Sequence, residues 1–308
     1  MSEPTTLFAV SERDRGKRLD RFLHERIPGL SRSRIQRAIA ERVALSWGAR
    51  PRASTPVRPG GEVQVGYAPI AEDVNDLPIP ILARGDGWLA VDKPAGLVVH
   101  PVNSVRENSL IRMLRRQEAA PDLRLTHRLD RETSGVLLVA GGADAASALA
   151  SAFARGRVHK EYLAIVQGEI PDDEGIIDLP IGEDDERRVY VRRTVKTGGE
   201  RAVTRWQVTR RLAGATLVAL FPKTGRRHQL RVHLAAAGHP ILGDILYGRP
   251  DDDYLDLVAG GADARRREGP PFRQLLHCAR LVFPDPEGSA IDVRAPLPAD
   301  FAARLDAS

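Results

Sequence analysis

Residues 125–140, LTHRLDRETSGVLLVA, form the densest polar group in the sequence and lead directly into an apolar run. Asp130 lies at the mouth of that run, which is typical of a strand, with Arg128 and Arg131 close to it. Nearby positive charges favour the ionised form of a carboxyl group, so Asp130 would be available as a nucleophile or a base. In the alternative interpretation, its side chain only accepts hydrogen bonds from the backbone of an Asx-turn. The residues alone leave both interpretations open.

A second polar group occupies residues 223–248, KTGRRHQLRVHLAAAGHPILGDILYG, where closely spaced hydrogen-bond donors follow a glycine. In a helix, His228 and Arg231 would share a face at three residues' separation, whereas His228 and His233 at five residues would not. The second spacing argues against a pair of metal ligands. Two interpretations stay open here: a solvated basic start of a helix, and a long basic side chain that reaches a nearby carboxylate.

Two single residues are weaker candidates. Tyr162 stands at the head of the strand-like run HKEYLAIVQG, and an aromatic ring in that position usually packs in the core or at a sheet edge. Lys93 lies in VDKPAGLVVHP beside Pro94 and Gly96, which is typical of a loop residue, and its charge would also suit a phosphate.

The sequence contains no GxGxxG, GxxxxGK[ST], HExxH or CxxC motif, so dinucleotide, P-loop and standard zinc sites have no basis. We therefore expect chemistry that uses side chains alone, with no cofactor and no metal. A chain with one cysteine, Cys278, forms no intramolecular disulfide and suits a reducing cytosol. Neither a signal-peptide pattern nor an apolar run of ~20 residues is present, so we expect a cytoplasmic protein without a membrane partner.

The positive charge is concentrated near the N-terminus. The whole chain carries a net charge of +5, whereas residues 11–62 alone contain 13 Lys or Arg against 6 Asp or Glu. Such a basic stretch favours a polyanion, above all a nucleic acid, as the partner.

The length of 308 residues allows about two domains. RLDRFLHERI and SRSRIQRAIAERV have apolar residues at helical spacing, and VALSW and GEVQVGY are typical of strands. These segments predict a small α/β module, and a proline-rich stretch after it predicts a linker. We expect a polar lead at 1–15, the module at 16–67, the linker at 68–80, a larger domain at 81–300 and a tail at 301–308.

The larger domain mixes both kinds of element in no strict βαβ order. Strands are indicated by WLAVDK, GLVVH, GVLLVA, YLAIVQG, TRWQVTRR and ATLVALF, and helices by SLIRMLRRQ, ADAASALASAFARG and RHQLRVHLAAAG. This pattern predicts an α+β fold on a largely antiparallel or mixed sheet with flanking helices. Residues 249–273 are polar and rich in Gly and Pro, so we expect a surface excursion there.

Together these blocks resemble the RNA pseudouridine synthases of the RluA/RluD type. The chain contains every fixed residue of HRLDxxTSG and of GRxHQxRxH…GxPIxGDxxY, and VDKPAGLVVHP, KEYLAIVQG and LLHCARLVFPDP follow in family order. The first module resembles the S-four (αL) RNA-binding module in RLDRFLHERIPGLSRSRIQRAIAERV. It departs from that pattern after the second helix, where LSWG replaces the usual VNG.

The resemblance implies an isomerase with a pseudouridine synthase domain. Such an enzyme flips a uridine out of the RNA, breaks its N-glycosidic bond and rejoins the uracil through C5, without a cofactor. The resemblance further implies that Asp130 is the catalytic aspartate, that Arg231 pairs with it, and that Tyr162 stacks on the target base and helps to remove the C5 proton. Arg128 would fill the gap that the flipped nucleotide leaves. Whether Asp130 acts as a nucleophile or as the base that removes the ribose 2′ proton stays open.

The expected partner is RNA, with ribosomal RNA favoured over transfer RNA and no DNA, bound by a monomer. Two other functions are considered: a carboxylate-dependent nucleosidase, which would need a second placed carboxylate and release free uracil, and a non-catalytic RNA-binding or ribosome-assembly factor. Loss of Asp130, Tyr162 or Arg231 would mark that factor, and all three are present. Further RNA contacts are expected from Arg32, Arg34, Arg37, Lys93, Arg226, His228 and Gln229.

Overall fold

The chain folds into two compact units. The computed structural model describes residues 6–27, 32–66, 74–75, 77–101, 105, 107–184, 189, 191–255, 273–285 and 287–306. The first unit comprises Met1–Asn75 with His100–Ser109, and the second comprises Asp76–Val99 with Leu110–Ser308. Segment 100–109 thus belongs to the first unit, although we expected it in the larger domain. The expected linker at 68–80 lies largely outside the described residues.

The first unit packs two helices against a small antiparallel sheet. The elements are β1 (Thr6–Ala9), α1 (Leu19–Arg26), α2 (Arg32–Arg42), β2 (Val43–Leu45) and β3 (Glu62–Val65). The strand order is β1-β3-β2. The helical apolar spacing seen in the sequence becomes the core of this unit, which includes Leu19, Phe22, Leu23, Ile35, Ile39 and Val63.

Residues 6–14 are an integral part of the first unit, so the expectation of a polar lead at 1–15 is wrong for these residues, and residues 1–5 lie outside the described part of the chain. Strand β1 pairs with β3, and the buried Asp14 follows it in a short 3-10 turn. The Asp14 carboxylate accepts hydrogen bonds from Ser11 Oγ at 2.7 Å and from Lys17 Nζ at 3.0 Å. These contacts, above all the one from Ser11, hold the pKa of Asp14 well below its usual value.

A ten-stranded sheet dominates the second unit. Its strands are β4 (Ile81–Gly85), β5 (Trp88–Lys93), β6 (Leu123–Leu125), β7 (Ser134–Gly141), β8 (His159–Gln167), β9 (Glu174–Asp178), β12 (Val203–Leu212), β13 (Ala215–Pro222), β14 (Leu276–Pro284) and β15 (Ala290–Arg294). Two further strands, β10 (Ile181–Glu183) and β11 (Arg193–Val195), pair with each other. The helices are α3 (Leu110–Gln117), α4 (Ala143–Ala154), α5 (Gln229–Ala236) and α6 (Ala299–Asp306).

The order along the large sheet is β4-β5-β7-β14-β8-β13-β12-β9, with β6 paired to β7 and β15 to β14. The β7–β14 pair is parallel and the others are antiparallel. This confirms the predicted α+β fold on a largely antiparallel sheet. Strand β7 lies inside the sheet between β5 and β14, and its apolar run is buried on both faces, with five residues at 0% exposure: Val136, Leu137, Leu138, Val139 and Ala140.

The run GLVVH at 96–100 is not a strand, contrary to the prediction. Its backbone supports the start of helix α3, because the carbonyl of Val98 accepts from the Leu110 N–H at 2.8 Å. The carbonyl of Val99 accepts from the Ile111 N–H at 3.2 Å. The first N–H groups of a helix have no acceptor within it, and the carbonyls of Val98 and Val99 serve two of them. These carbonyls are therefore not available to a neighbouring strand.

The expected tail at 301–308 is also wrong for residues 301–306, which belong to helix α6. Phe301 is fully buried, and Asp300 accepts from Arg273 Nη2 at 2.8 Å. Of the expected excursion, 251–255 are helical and 256–272 lie outside the described residues. No helix in the described part of the chain is long and apolar enough to cross a membrane.

Candidate active site

Asp130 lies in the loop between β6 and β7, and its neighbours tie that loop to the sheet. His127 Nε2 accepts from the Leu138 N–H at 3.0 Å, and Thr126 Oγ1 donates to the Leu138 carbonyl at 2.7 Å. These side chains continue the hydrogen bonding of β7 beyond the end of β6. Burial lowers the pKa of His127 to about 3, so the ring stays neutral and free to accept. The histidine of the HRLD motif therefore has a structural role here.

Gly135 shows why the Thr-Ser-Gly part of the motif needs a glycine. Its φ is +108°, a conformation that side chains disfavour. A Cβ at this position would also lie 2.2 Å from the carbonyl oxygen of Cys278. Strands β7 and β14 approach each other closely at this point, and the approach positions the loop that carries Asp130.

Arg231 connects Asp130 to a second, buried carboxylate. Its Nη1 donates to Asp130 Oδ2 at 3.0 Å, while Nε and Nη2 donate to the two oxygens of Asp244 at 2.7 and 2.8 Å. Asp244 is 3% exposed and its Oδ1 also accepts the backbone N–H groups of Leu246 and Tyr247. A bidentate contact of this kind fixes the plane of a guanidinium. Asp244 thus orients Arg231 towards Asp130.

Asp130 is ionised in this arrangement. Burial acts to raise its pKa, but the charges of His228, when protonated, and of Arg231 outweigh burial and lower the pKa below its usual value. Arg231 keeps its charge at any pH of interest, because burial is outweighed by Asp244 and Asp130 and its own pKa is raised. The Asp130 carboxylate is therefore paired with Arg231 and held in one orientation. It is also accessible from the pocket, since 19% of its side chain is exposed.

Tyr162 contributes a wall of the same pocket from strand β8. Its side chain is buried next to the Cys278 thiol, and burial and this neighbour raise the pKa of Tyr162 well above its usual value. The phenol is therefore protonated at neutral pH. Burial likewise raises the pKa of Cys278 to about 12, so the thiol is not a nucleophile here.

The pocket over Asp130 has a volume of about 700 Å³, which lies in the range of small-ligand sites. Four exposed cations line it, and in the described part of the chain none of their side chains makes a hydrogen bond or an ion pair: Arg128, Arg155, Lys223 and Arg227. Arg226 also lines the pocket but its Nη1 contacts Glu200 at 2.7 Å. The rim therefore carries positive charge that is available to an anionic ligand.

Lys93 does not provide the phosphate contact that we expected. Its side chain is fully buried, and Nζ donates to the carbonyls of Pro94, Leu97 and Arg131 at 2.7, 2.8 and 3.0 Å. Burial lowers the pKa of Lys93 to about 7. In its charged form Lys93 uses all three donors within the protein, so it joins two loops next to the site.

Gln229 is likewise buried rather than available to RNA. Its Nε2 donates to the carbonyl of Val203 and to Thr204 Oγ1, both at 3.0 Å. Its Oε1 accepts from Thr224 Oγ1 at 2.7 Å and from the Arg226 N–H at 3.0 Å. Gln229 thus connects the start of α5 to β12.

His228 faces Asp130, which the sequence did not predict. It precedes α5 as the N-cap, with a left-handed φ of 58°. Its Nδ1 lies 2.9 Å from the Tyr247 hydroxyl, and its Nε2 lies 3.9 Å from Asp130 Oδ2. The sequence analysis assigned no role to Asp244 and Tyr247, although both belong to the GDxxY part of the motif that carries the resemblance.

The first unit carries the other expected RNA contacts. Arg37 is exposed on α2. The side chains of Arg32 and Arg34 lie outside the described residues.

The second unit thus holds a paired carboxylate in a pocket with a positively charged rim, an arrangement that suits an anionic ligand. Comparison with known proteins identifies the class. Residues 87–236 match the RNA pseudouridylate synthase family. The chain belongs to the RNA pseudouridine synthase family, and it is an isomerase that acts on RNA.

The relatives resemble the chain over most of its length. Ribosomal large subunit pseudouridine synthase D of Xanthomonas campestris pv. campestris is 36% identical over 93% of this chain and 87% of its own. The Nitrosomonas europaea protein of the same name is 34% identical over 99% and 88%. The solved structure of human RNA pseudouridylate synthase domain containing 1 has a TM-score of 0.58 and 30% identity, covering 73% of this chain and 86% of its own.

Proposed function

We propose that this enzyme converts specific uridines of large-subunit ribosomal RNA to pseudouridine, with Asp130 as the group that begins the reaction. The observation that carries the assignment of Asp130 is the Asp244–Arg231–Asp130 chain of contacts at the pocket floor. Ribosomal RNA is favoured over transfer RNA because the relatives named above are ribosomal large subunit enzymes. The enzyme acts as a monomer in the cytoplasm.

The substrate must leave its helix to reach Asp130. A stacked base presents neither C1′ nor C5 to a carboxylate in a pocket, and flipping costs a few kcal/mol. Phosphate contacts from the rim cations offset that cost. Arg128 is exposed in the same loop as Asp130, and its side chain enters the space that the flipped nucleotide vacates.

The reaction is an isomerisation and needs no redox partner. The C1′–N1 bond breaks, the uracil turns, and a C1′–C5 bond forms; C5 then loses its proton and N1 carries one in the product. Asp130 serves either as the nucleophile that holds the sugar or base, or as the base that takes the 2′ proton. Tyr162 packs its ring against the uracil, and its protonated phenol makes it a poor base at neutral pH.

Two basic regions bind the RNA in this proposal. Arg226 and the four rim cations line the pocket, and Arg32, Arg34 and Arg37 belong to helix α2 of the first unit. The first unit acts as an S-four-like module that contacts phosphates away from the target. If a region neutralises Z phosphates of a single strand, log K falls with log[salt] at a slope of roughly −0.7Z.

The substrate class is tested with transcripts that carry tritium at uracil C5, since pseudouridine formation releases this label. The protein is incubated with unmodified large-subunit ribosomal RNA and, as the matched control, with a pool of unmodified transfer RNAs. Release from ribosomal RNA alone supports the proposal. Release from transfer RNA alone would overturn the ribosomal assignment, and free labelled uracil would indicate a nucleosidase.

A further inference from the structure

His228 has a backbone conformation that histidine rarely adopts. Its φ of 58° places it in the left-handed region, which costs energy for a residue with a Cβ and is often found at functional sites. The consequence of this conformation is that the ring lies between the Tyr247 hydroxyl and Asp130 instead of following the face of helix α5. Only 9% of the His228 side chain is exposed.

The hydrogen bonds around Tyr247 determine which nitrogen of His228 carries the proton. The Tyr247 oxygen accepts the backbone N–H of Arg193 at 3.0 Å, and His228 Nδ1, 2.9 Å away, is the acceptor within reach of the Tyr247 O–H. Burial raises the pKa of Tyr247 to about 12, which keeps that proton on the phenol. Nδ1 is then an acceptor, and a neutral imidazole has its single proton on Nε2.

Burial also keeps the ring neutral, because it lowers the pKa of His228 to about 4 against the opposing effect of Asp130. A neutral donor differs from a cation in its effect on Asp130. A second full positive charge beside Arg231 would stabilise the carboxylate further and weaken it as a nucleophile or base. An uncharged N–H donor also orients the Asp130 oxygen, but it lowers the reactivity of the carboxylate less.

Both donors point at one oxygen of Asp130. Arg231 Nη1 lies 3.0 Å from Oδ2, and His228 Nε2 lies 3.9 Å from the same atom. In the described part of the chain, Oδ1 has no hydrogen-bond partner. The 3.9 Å separation exceeds a hydrogen bond, and a shift of about 1 Å would close it. The ring of Tyr247 lies 5.0 Å from the Arg231 guanidinium, so one side chain contacts both donors.

We propose that His228 is a positioning residue: a neutral Nε2–H donor, fixed by Tyr247, that restrains Asp130 Oδ2 together with Arg231 and leaves Oδ1 as the oxygen that reacts. This inference rests on the proposed role of Asp130 in pseudouridine formation. It assigns Tyr247 a role as well, since that hydroxyl sets the tautomer on which the geometry depends.

Three variants test the inference. His228→Asn keeps a residue that tolerates positive φ and a polar group near the position of Nδ1, but it lacks the reach of Nε2. His228→Gln restores a donor near Nε2. Tyr247→Phe keeps the ring over Arg231 and removes the hydroxyl. For each protein the thermal transition, the RNA Kd and the rate of pseudouridine formation in a single turnover are measured, and the ring nitrogens of ¹⁵N-labelled histidine are observed by NMR.

We expect the wild-type His228 spectrum to show protonated Nε2 and unprotonated Nδ1 at pH 7. His228→Asn loses roughly tenfold or more in rate, as for a lost hydrogen bond to a charged group, with an unchanged Kd, and His228→Gln recovers most of the rate. Tyr247→Phe lowers the rate and gives a mixture of tautomers.

Protonated Nδ1 in the wild type, or a His228→Asn enzyme as fast as the wild type, would overturn the inference. So would a His228→Gln enzyme that is no faster than His228→Asn although both are folded. Wild-type protein that forms no pseudouridine on any RNA contradicts the proposed function instead, and the ring spectrum then decides the tautomer by itself.

Discussion

Asp244→Asn tests whether the reaction depends on the orientation of Arg231 and not only on its presence. The change leaves Asp130 and Arg231 in place but removes the negative charge that Arg231 contacts at 2.7 and 2.8 Å. The remaining oxygen of the amide stays with the backbone N–H groups of Leu246 and Tyr247, which donate to Oδ1. The new NH₂ group then faces Arg231 Nε, so that a donor opposes a donor.

The expected cost follows from the burial of the pair. Asp244 is 3% and Arg231 is 8% exposed, and breaking a buried ion pair by removing one partner costs about 3–5 kcal/mol. We expect the free energy of unfolding to fall by about that amount in urea titrations. The guanidinium also loses its alignment with Asp130, so the single-turnover rate should fall roughly 10- to 100-fold, as for one lost charged hydrogen bond.

Asp292→Asn is the matched control. Asp292 makes the same bidentate contact with Arg280, at 2.8 Å to each oxygen, but on an exposed edge of the sheet. Exposed pairs contribute little to stability, so stability and rate should both stay close to the wild type. Similar effects of the two substitutions, or an Asp244→Asn enzyme that is destabilised but fully active, would show that Asp244 does not orient Arg231 for the reaction.

Three other predictions follow from the site. Lys93→Met should lower the free energy of unfolding by about 2–4 kcal/mol, because three buried carbonyls lose their donor. The RNA Kd, measured by filter binding, should stay unchanged. Weaker RNA binding by a stable variant would contradict this prediction. Arg155→Ala combined with Arg227→Ala should reduce the salt slope of RNA binding by about 1.4, and an unchanged slope would show that the rim does not bind phosphate. The pKa of His127 is about 3 in the folded chain against 6.5 for the free side chain, so the unfolded state binds the extra proton and stability falls as pH decreases from 6.5. At pH 5 the loss is roughly 2 kcal/mol, and urea titrations of His127→Phe should show a smaller pH dependence than the wild type.

The central elements of the site were predictable from the sequence for a physical reason. The apolar run after Asp130 is buried on both faces as β7, and a strand of that kind leaves its preceding loop at the edge of the sheet. The motif that contains Arg231 begins a helix, which directs a long side chain towards that loop. The resemblance related Asp130 to Arg231, and the structure joins them at 3.0 Å.

The roles of other residues were not predictable from the sequence, because they depend on contacts with distant segments of the chain. Lys93 and Gln229 carry polar ends that suit RNA, yet both are buried because carbonyls from distant segments surround them. The run GLVVH has strand-like residues, but its carbonyls serve helix α3. Strand β1 has only four residues, and its pairing with β3 depends on a partner more than fifty residues away.

Asp130→Asn tests whether Asp130 is the group that begins the reaction. The variant keeps the size of the side chain and a hydrogen-bond acceptor for Arg231, so RNA binding should stay within about twofold of the wild type, well under the effect of one lost charged hydrogen bond. In a single turnover with RNA in excess of Kd, followed by digestion and chromatographic separation of the two nucleosides, we expect pseudouridine from the wild type and none from Asp130→Asn. Pseudouridine formed by Asp130→Asn at a rate near that of the wild type would contradict the account.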